Sequence, residues 1–256
     1  MKNDMIKGSI RYAQTIQQAI LPDLKQIKAI FDNFVLFRPK DIVSGDFYWF
    51  TKVADYYYIA VVDCTGHGVP GAFMSMIASR ILNEIVLQNT NISPAEILTN
   101  LNDAILIALK QKETKNMDGM DVCLVRIEKN VDDKKIIFCG AKRDLIYYNS
   151  DTNSIEISKG DRRSIGGVSE RKTPVNFTNT ELILKKDSIL YLSSDGLSDQ
   201  NNLERKRFGS NRLIKIISEN FEKPLTEQKY IIEKEIDTWQ TGVEQRDDIT
   251  FMAIKI

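Results

Sequence analysis

The chain is poor in the residues that usually build metal cages and covalent catalytic machinery. It holds one histidine, His67, in 256 residues. A histidine-rich zinc site is therefore excluded, and any Ser-His-Asp or Cys-His arrangement has to use that side chain. The three cysteines, Cys64, Cys123 and Cys139, are odd in number and form no CxxC pair. This argues against a disulfide framework or a zinc ribbon and for a reducing, cytoplasmic compartment. No stretch reaches the roughly 18 apolar residues of a membrane helix, and the opening Met1-Lys2-Asn3-Asp4 lacks a basic segment leading into an apolar one. Neither membrane insertion nor export is expected. An excess of either charge is missing too: 35 Lys and Arg face 35 Asp and Glu, which leaves no global field for a polyanion and makes nucleic acid a poor partner. What is abundant is carboxylate, on a chain whose 43% apolar and 27% charged content suits an ordinary globular protein able to bury its own core.

Residues from about 5 to 28 are polar, with Ile6, Ile10, Ala13, Ile16 and Ile20 at helical spacing. The pattern predicts a helix with one apolar stripe, interrupted near its end by Pro22. Two readings fit the stripe: packing on the chain's own domain, or a short dimerisation or signalling helix. From Phe31 the texture becomes β-rich, with strands at Phe34–Phe37, Phe47–Phe50 and Tyr56–Val62, the last two forming a hairpin around Ala54-Asp55. Helices are predicted over about 71–88 and 94–111, the second opened by Ser93-Pro94 with Glu96 in its first turn. Further strands follow at Val122–Glu128, Lys135–Cys139, Leu145–Asn149, Asn153–Ser158, Thr180–Leu184 and Ser188–Ser193, then helices near 211–220 and 225–239, and a closing strand at Ile249–Ile256. Strands, a helix pair, strands, a helix pair and a strand make an α+β chain with mostly antiparallel sheets. The expected division is a connector helix over 1–30 and one domain over 31–256.

Gly66-His67-Gly68-Val69-Pro70-Gly71 matches the G-x-G-x-x-G dinucleotide fingerprint. The context fails, because a second helix follows the first where a Rossmann unit needs a parallel strand ending in an acidic residue. A second pattern is more informative. Aspartates stand at strand edges, beside glycine or another aspartate, in four places: Ser44-Gly45-Asp46, Asp63-Cys64-Thr65-Gly66, Ser194-Asp195-Gly196 and Arg246-Asp247-Asp248. Each alone is a turn or a cap. Brought to one end of a sandwich, they form the oxygen-only set preferred by Mg²⁺ and Mn²⁺, and without cations they would repel one another.

Seven segments, in order, resemble the metal-dependent PPM class of serine/threonine protein phosphatases, in particular the bacterial branch typified by the stage II sporulation protein E and stress-response phosphatases. They are Ile16–Pro22, Pro39–Trp49, Asp63–Gly71, Asp118–Asp121, Phe138–Ala141, Ser194–Gln200 and Gln245–Thr250. The resemblance implies two antiparallel sheets sandwiched between helix pairs, the order read above. It implies a centre of two Mn²⁺ or Mg²⁺ ions, in which Asp63 bridges both, the Cys64 backbone carbonyl ligates one, Asp195 and Asp247 hold the other, and Asp46 helps to hold the second ion. A metal-bridging hydroxide would then attack the phosphorus of a phosphoserine or phosphothreonine on a signalling protein, such as an anti-sigma-factor antagonist. His67 has two readings: general acid for the departing oxygen or phosphate contact, or a loop histidine bonded locally. Arg38, Lys142 and Arg143 are candidate phosphate contacts. The resemblance also implies an upstream sensor or receiver domain behind the connector helix, or pairing of that helix in a homodimer.

Two departures stand out. The larger relatives carry a phosphate-gripping arginine a few residues before the first aspartate, where this chain has Asp41 to Ser44, and an aspartate where it has Ala141. A third metal built at Ala141 is not expected. The rival readings are a catalytically silent phosphoprotein-binding module of the same fold and a structural calcium site; the compact EF-hand loop that the latter would favour is absent.

Overall fold

Strands that are buried on both faces read as unbroken apolar runs, and Tyr58–Val62 and Phe251–Ile254 are such runs. A computed structural model, describing residues 2–129, 134–167 and 175–256, places both at the middle of antiparallel sheets. The chain begins with α1 (Lys2–Ile20) and α2 (Leu24–Lys28), then β1 (Asp32–Arg38), β2 (Asp46–Val53) and β3 (Tyr56–Cys64). Helices α3 (Gly68–Gln88) and α4 (Pro94–Ala108) lead to β4 (Gly119–Glu128), β5 (Lys134–Ala141), β6 (Leu145–Asn149), β7 (Ser154–Ser158), β8 (Ile165–Gly166), β9 (Thr180–Leu184) and β10 (Ile189–Ser193). The short α5 (Gly196–Asp199), α6 (Ser210–Asn220), α7 (Leu225–Trp239) and β11 (Ile249–Lys255) complete it.

One sheet has the order β1-β11-β10-β6-β7 and the other β2-β3-β4-β5-β9, with β8 beside β4. Three apolar layers hold the stack. Val35, Tyr48, Ile59, Val61, Phe138, Leu190 and Met252 meet between the sheets. Met74, Ala78, Leu82, Ile97 and Leu101 of α3 and α4 cover Trp49, Val62 and Leu124 on one outer face. Leu213, Ile217, Ile232 and Ile236 of α6 and α7 cover Leu36, Tyr191 and Phe251 on the other. The result is the expected helix–sheet–sheet–helix sandwich.

Local chemistry explains the departures from the expected boundaries. The predicted helix over 5–28 is two helices, because after Pro22 the Asp23 carboxylate accepts the Lys25 N–H and starts α2 afresh. Helix α4 stops at Ala108, since Leu109 caps it and Lys110 turns into the left-handed region at φ 49°. Helix α1 packs against α3, with Ile10 and Ala13 partly buried, and is anchored by Gln17, 4% exposed, which accepts the Ser44 N–H and donates to the Ser44 carbonyl and to Ser75 Oγ. Its Met5, Ile6, Tyr12, Ile16 and Ile20 remain exposed.

Candidate functional site

Antiparallel pairing builds the site before any side chain is considered. Asp46 opens β2 opposite Asp63 near the end of β3, and Asp63 in turn faces Asp121 near the start of β4. Three carboxylates thus lie side by side at one edge of one sheet, since directly paired residues project to the same face. The other sheet contributes from the same end. Asp195 follows β10, and its N–H reaches Asp63 Oδ2 at 3.3 Å; Asp247 and Asp248 precede β11. Gly196 is required here, because a Cβ at that position would stand 1.8 Å from the Asp248 carbonyl oxygen.

The G-x-G-x-x-G run acquires a structural explanation. A Cβ on Gly71 would lie 2.2 Å from the Gly66 carbonyl oxygen, and one on Gly45 would lie 2.3 Å from that same atom. The loop before Asp46, the loop after Asp63 and the first turn of α3 therefore pack backbone against backbone.

Charge makes the cluster unstable by itself. Asp46 is 3% exposed, and its Oδ2 is buried without a hydrogen-bond partner. Burial, reinforced by Asp63, pushes its carboxyl well above the usual range. Burial and then the Asp195 charge likewise push Asp63 up to about 7. The cation that meets this charge is Arg143: its Nη2 stands 3.0 Å from Asp63, 2.8 Å from Asp121 and 2.6 Å from Asp195. Burial alone would lower the guanidinium pKa, but the three carboxylates outweigh it and hold the group charged.

The expected site residues are distributed as follows. Asp46, Asp63 and Asp195 come together, and Arg143 lies among them, engaged by carboxylates. The Cys64 thiol is buried, with its backbone carbonyl 3.3 Å from a Cβ built on Gly45. Asp247 is exposed, and its Oδ1 accepts the Asp248 N–H. Asp248 is the one turned inward, accepting the N–H groups of Lys40 and Gly45 at 2.7 Å each. Arg38 pairs with Asp237 of α7, and Lys142 is exposed at φ 56°. His67 is half-exposed, with Nδ1 2.6 Å from Asp41 Oδ2 and Nε2 2.9 Å from Lys40 Nζ. An ammonium has only donors, so Nε2 accepts from Lys40 and Nδ1 donates to Asp41. Sequence reasoning gave no role to Asp121, Asp248, Lys40 or Asp41. Asp121 meets Asp63 only through the pairing of β3 with β4, strands separated by two helices, and Asp248 stands in the Asp247-Asp248 pair noted above; no local signal marks Lys40 or Asp41.

The donor set fits hard divalent ions. It is all oxygen and excessively negative, and it includes a buried carboxylate oxygen with no partner. Among the described residues no three His, Cys, Asp or Glu side chains stand ready as a cage; the Arg143 guanidinium lies where the carboxylates would converge.

Comparison with known proteins accords with this geometry. A sequence profile described as stage II sporulation protein E (SpoIIE) matches residues 54–256. RsbU of Bacillus subtilis (strain 168), named a phosphoserine phosphatase, is 26% identical over 196 residues, covering 76% of this chain and 54% of RsbU. The chain thus spans about half the length of that relative. Among solved structures, the SiaA-PP2C domain of Pseudomonas aeruginosa superposes with a TM-score of 0.88 at 34% identity, over 100% of this chain and 99% of that one. The PP2C phosphatase domain of SpoIIE from Bacillus subtilis, solved with a fragment of its regulatory domain, gives 0.69 at 16% identity, over 88% and 62% of the two chains, and shares the fold. On the profile match across most of its length, and on an αββα sandwich shared with PP2C domains, the chain belongs to the stage II sporulation protein E family.

Proposed function

We propose that the chain is a metal-dependent serine/threonine protein phosphatase acting on a phosphoserine or phosphothreonine of a signalling protein. The observation that carries the reading is Asp46 Oδ2, a buried carboxylate oxygen without a partner in a cluster drawn from both sheets. Asp63 would be shared by two Mn²⁺ or Mg²⁺ ions, with Asp195, Asp247, Asp46 and the Cys64 carbonyl completing the sites. Bound there, the ions would supply an activated water and positive charge for the phosphoryl oxygens. The chain's own groups do the rest. Asp248 anchors the backbone of Lys40 and Gly45 and so fixes the loop that delivers Asp46. Asp41 orients His67, and a proton is held between Lys40 Nζ and His67 Nε2 at an exposed position. The departing serine or threonine oxygen would take its proton from His67 Nε2, which is resupplied by the Lys40 ammonium, and Lys40 is left neutral at the end of the step.

The phosphoserine activity in RsbU's name supports a phosphoprotein substrate, and kinship alone suggests an anti-sigma-factor antagonist. The exposed apolar residues of α1 support its role as a connector from a sensor or receiver domain, or as a pairing helix in a homodimer. Three free, buried cysteines suit the cytoplasm; among the described residues no helix is long and apolar enough to cross a membrane.

The test is hydrolysis of p-nitrophenyl phosphate and of a phosphoserine peptide, with and without Mn²⁺, by the wild type and an Asp195→Asn variant. Mn²⁺-dependent turnover, lost in the variant, is the expected result. Absence of both turnover and Mn²⁺ binding would favour the silent phosphoprotein-binding module, a reading that the position of Arg143 makes worth testing.

A further inference from the structure

We propose that Arg143 is a built-in counter-ion that competes with divalent cations for Asp63 and Asp195, and so sets the affinity of the centre for metal. The inference rests on the metal reading above. Arg143 lies in the crossover between β5 of one sheet and β6 of the other. From that seam its Nη2 reaches Asp63 and Asp121 on one sheet and Asp195 beyond the other.

The arrangement is oversubscribed. A terminal guanidinium nitrogen carries two hydrogens, yet three carboxylates crowd this one. Meanwhile Nε is buried without an acceptor, so the two-pronged grip that arginine usually makes on a carboxylate is forgone. The three contacts are not equivalent: Asp121 also accepts from Ser164 Oγ at 2.6 Å and is not among the proposed ligands, whereas the other bond to Asp63 is the longer one, at 3.3 Å, from the Asp195 N–H. Asp63 and Asp195 are therefore the contacts Arg143 can relinquish to a cation, while Asp121 keeps it tethered. A cavity of about 280 Å³, lined by Arg143 with Lys142, Ser193, Ser198 and Ser210, adjoins the side chain and gives it room to withdraw.

Removing the competitor has a sign that a purely structural role does not share. If Arg143 merely braces the carboxylates, its loss disorders the ligands and weakens metal binding. If it competes, its loss tightens binding, by about tenfold or more given the strength of hydrogen bonds between charged groups.

The experiment is calorimetric titration of Mn²⁺ and Mg²⁺ into the wild type, Arg143→Gln and Arg143→Lys, with thermal melts in chelator to confirm folding. Arg143→Gln should bind Mn²⁺ about tenfold or more tighter and melt lower than wild type without metal. Arg143→Lys, whose compact ammonium cannot span three carboxylates, should bind more tightly than wild type but less tightly than Arg143→Gln, and it decides the matter if the glutamine variant does not fold. Equal or weaker binding by folded variants, with the wild type still binding, overturns the competition and leaves the metal reading intact. Binding of neither ion by any of the proteins removes both.

Discussion

Asp46 is placed against the preferences of an isolated carboxylate: almost fully buried, with one oxygen unpartnered, beside Asp63. At neutral pH it must carry a charge that the Ser194 and Thr250 hydroxyls only partly offset, or hold a proton that solution would remove, and either state costs stability. Asp46→Asn removes that cost and keeps the shape. We expect the variant to melt higher than wild type in chelator, by about 2–4 °C for each kcal/mol regained at this chain length, and to lose most of its response to Mn²⁺. A lower melting point in chelator would contradict this account. Gly71 makes the complementary case from sterics. With a carbonyl 2.2 Å from the position of its missing Cβ, Gly71→Ala should destabilise the protein by roughly 2–3 kcal/mol in urea unfolding, and Gly8→Ala, in open space on α1, should not. The aspartates were legible because each borders an apolar run, Asp46 and Asp195 beside a glycine, Asp247 beside a second aspartate and Asp63 at the head of a glycine-bearing loop. Arg143 and Asp121 were not assigned these parts, since their meeting depends on how strands register and where a crossover turns. Those are tertiary facts that no window of sequence contains.

Among the elements, α4 shows how local signals translate into stability. Ser93 and Glu96 form a reciprocal capping box, with Pro94 in the first turn. The Ser93 hydrogen bonds hold the Glu96 carboxyl below its usual range. A depressed carboxylate contributes stability above its unfolded pKa and loses it as pH falls through the folded one. Ser93→Ala should therefore cost about 1 kcal/mol at pH 7, and the wild-type advantage over Glu96→Gln should vanish in acid; an advantage that persisted there would place it outside ionisation. Helix α1 and the two helix pairs were readable from apolar spacing, and the hairpin at Ala54-Asp55 from its turn. The small elements were not. Strand β8 and helix α5 are too short to carry periodicity, and they form because neighbours offer them partners, β4 to the first and the start of β11 to the second. The break after α1 was visible as Pro22, but the restart at Leu24 depends on a capping bond that composition does not announce.

At the scale of the whole molecule, the proposed ligands belong to two sheets: Asp46, Asp63 and Cys64 to one, Asp195 and Asp247 to the other. A cation held by both binds the folded chain and not the unfolded one, so the melting midpoint should rise with Mn²⁺ concentration, by about 2.7 kcal/mol of added stability at a hundredfold excess over Kd. A midpoint indifferent to Mn²⁺ would mean that the cluster holds no ion. The sheets are also joined covalently by short links: residues 142–144 beside the site and residues 185–188 at the far end. Two such tethers at opposite ends forbid one layer from sliding over the other. Any change that controlled the proposed centre would therefore act without shear, through the segments that frame it: the loop from Pro39 to Gly45, the Arg143 turn, and the Ser44 backbone in the grip of Gln17. Hydrogen exchange with and without Mn²⁺ should locate the change in those segments and leave the midsections of β3 and β11 untouched. The sandwich then serves as a rigid chassis, and its responsiveness is confined to one rim.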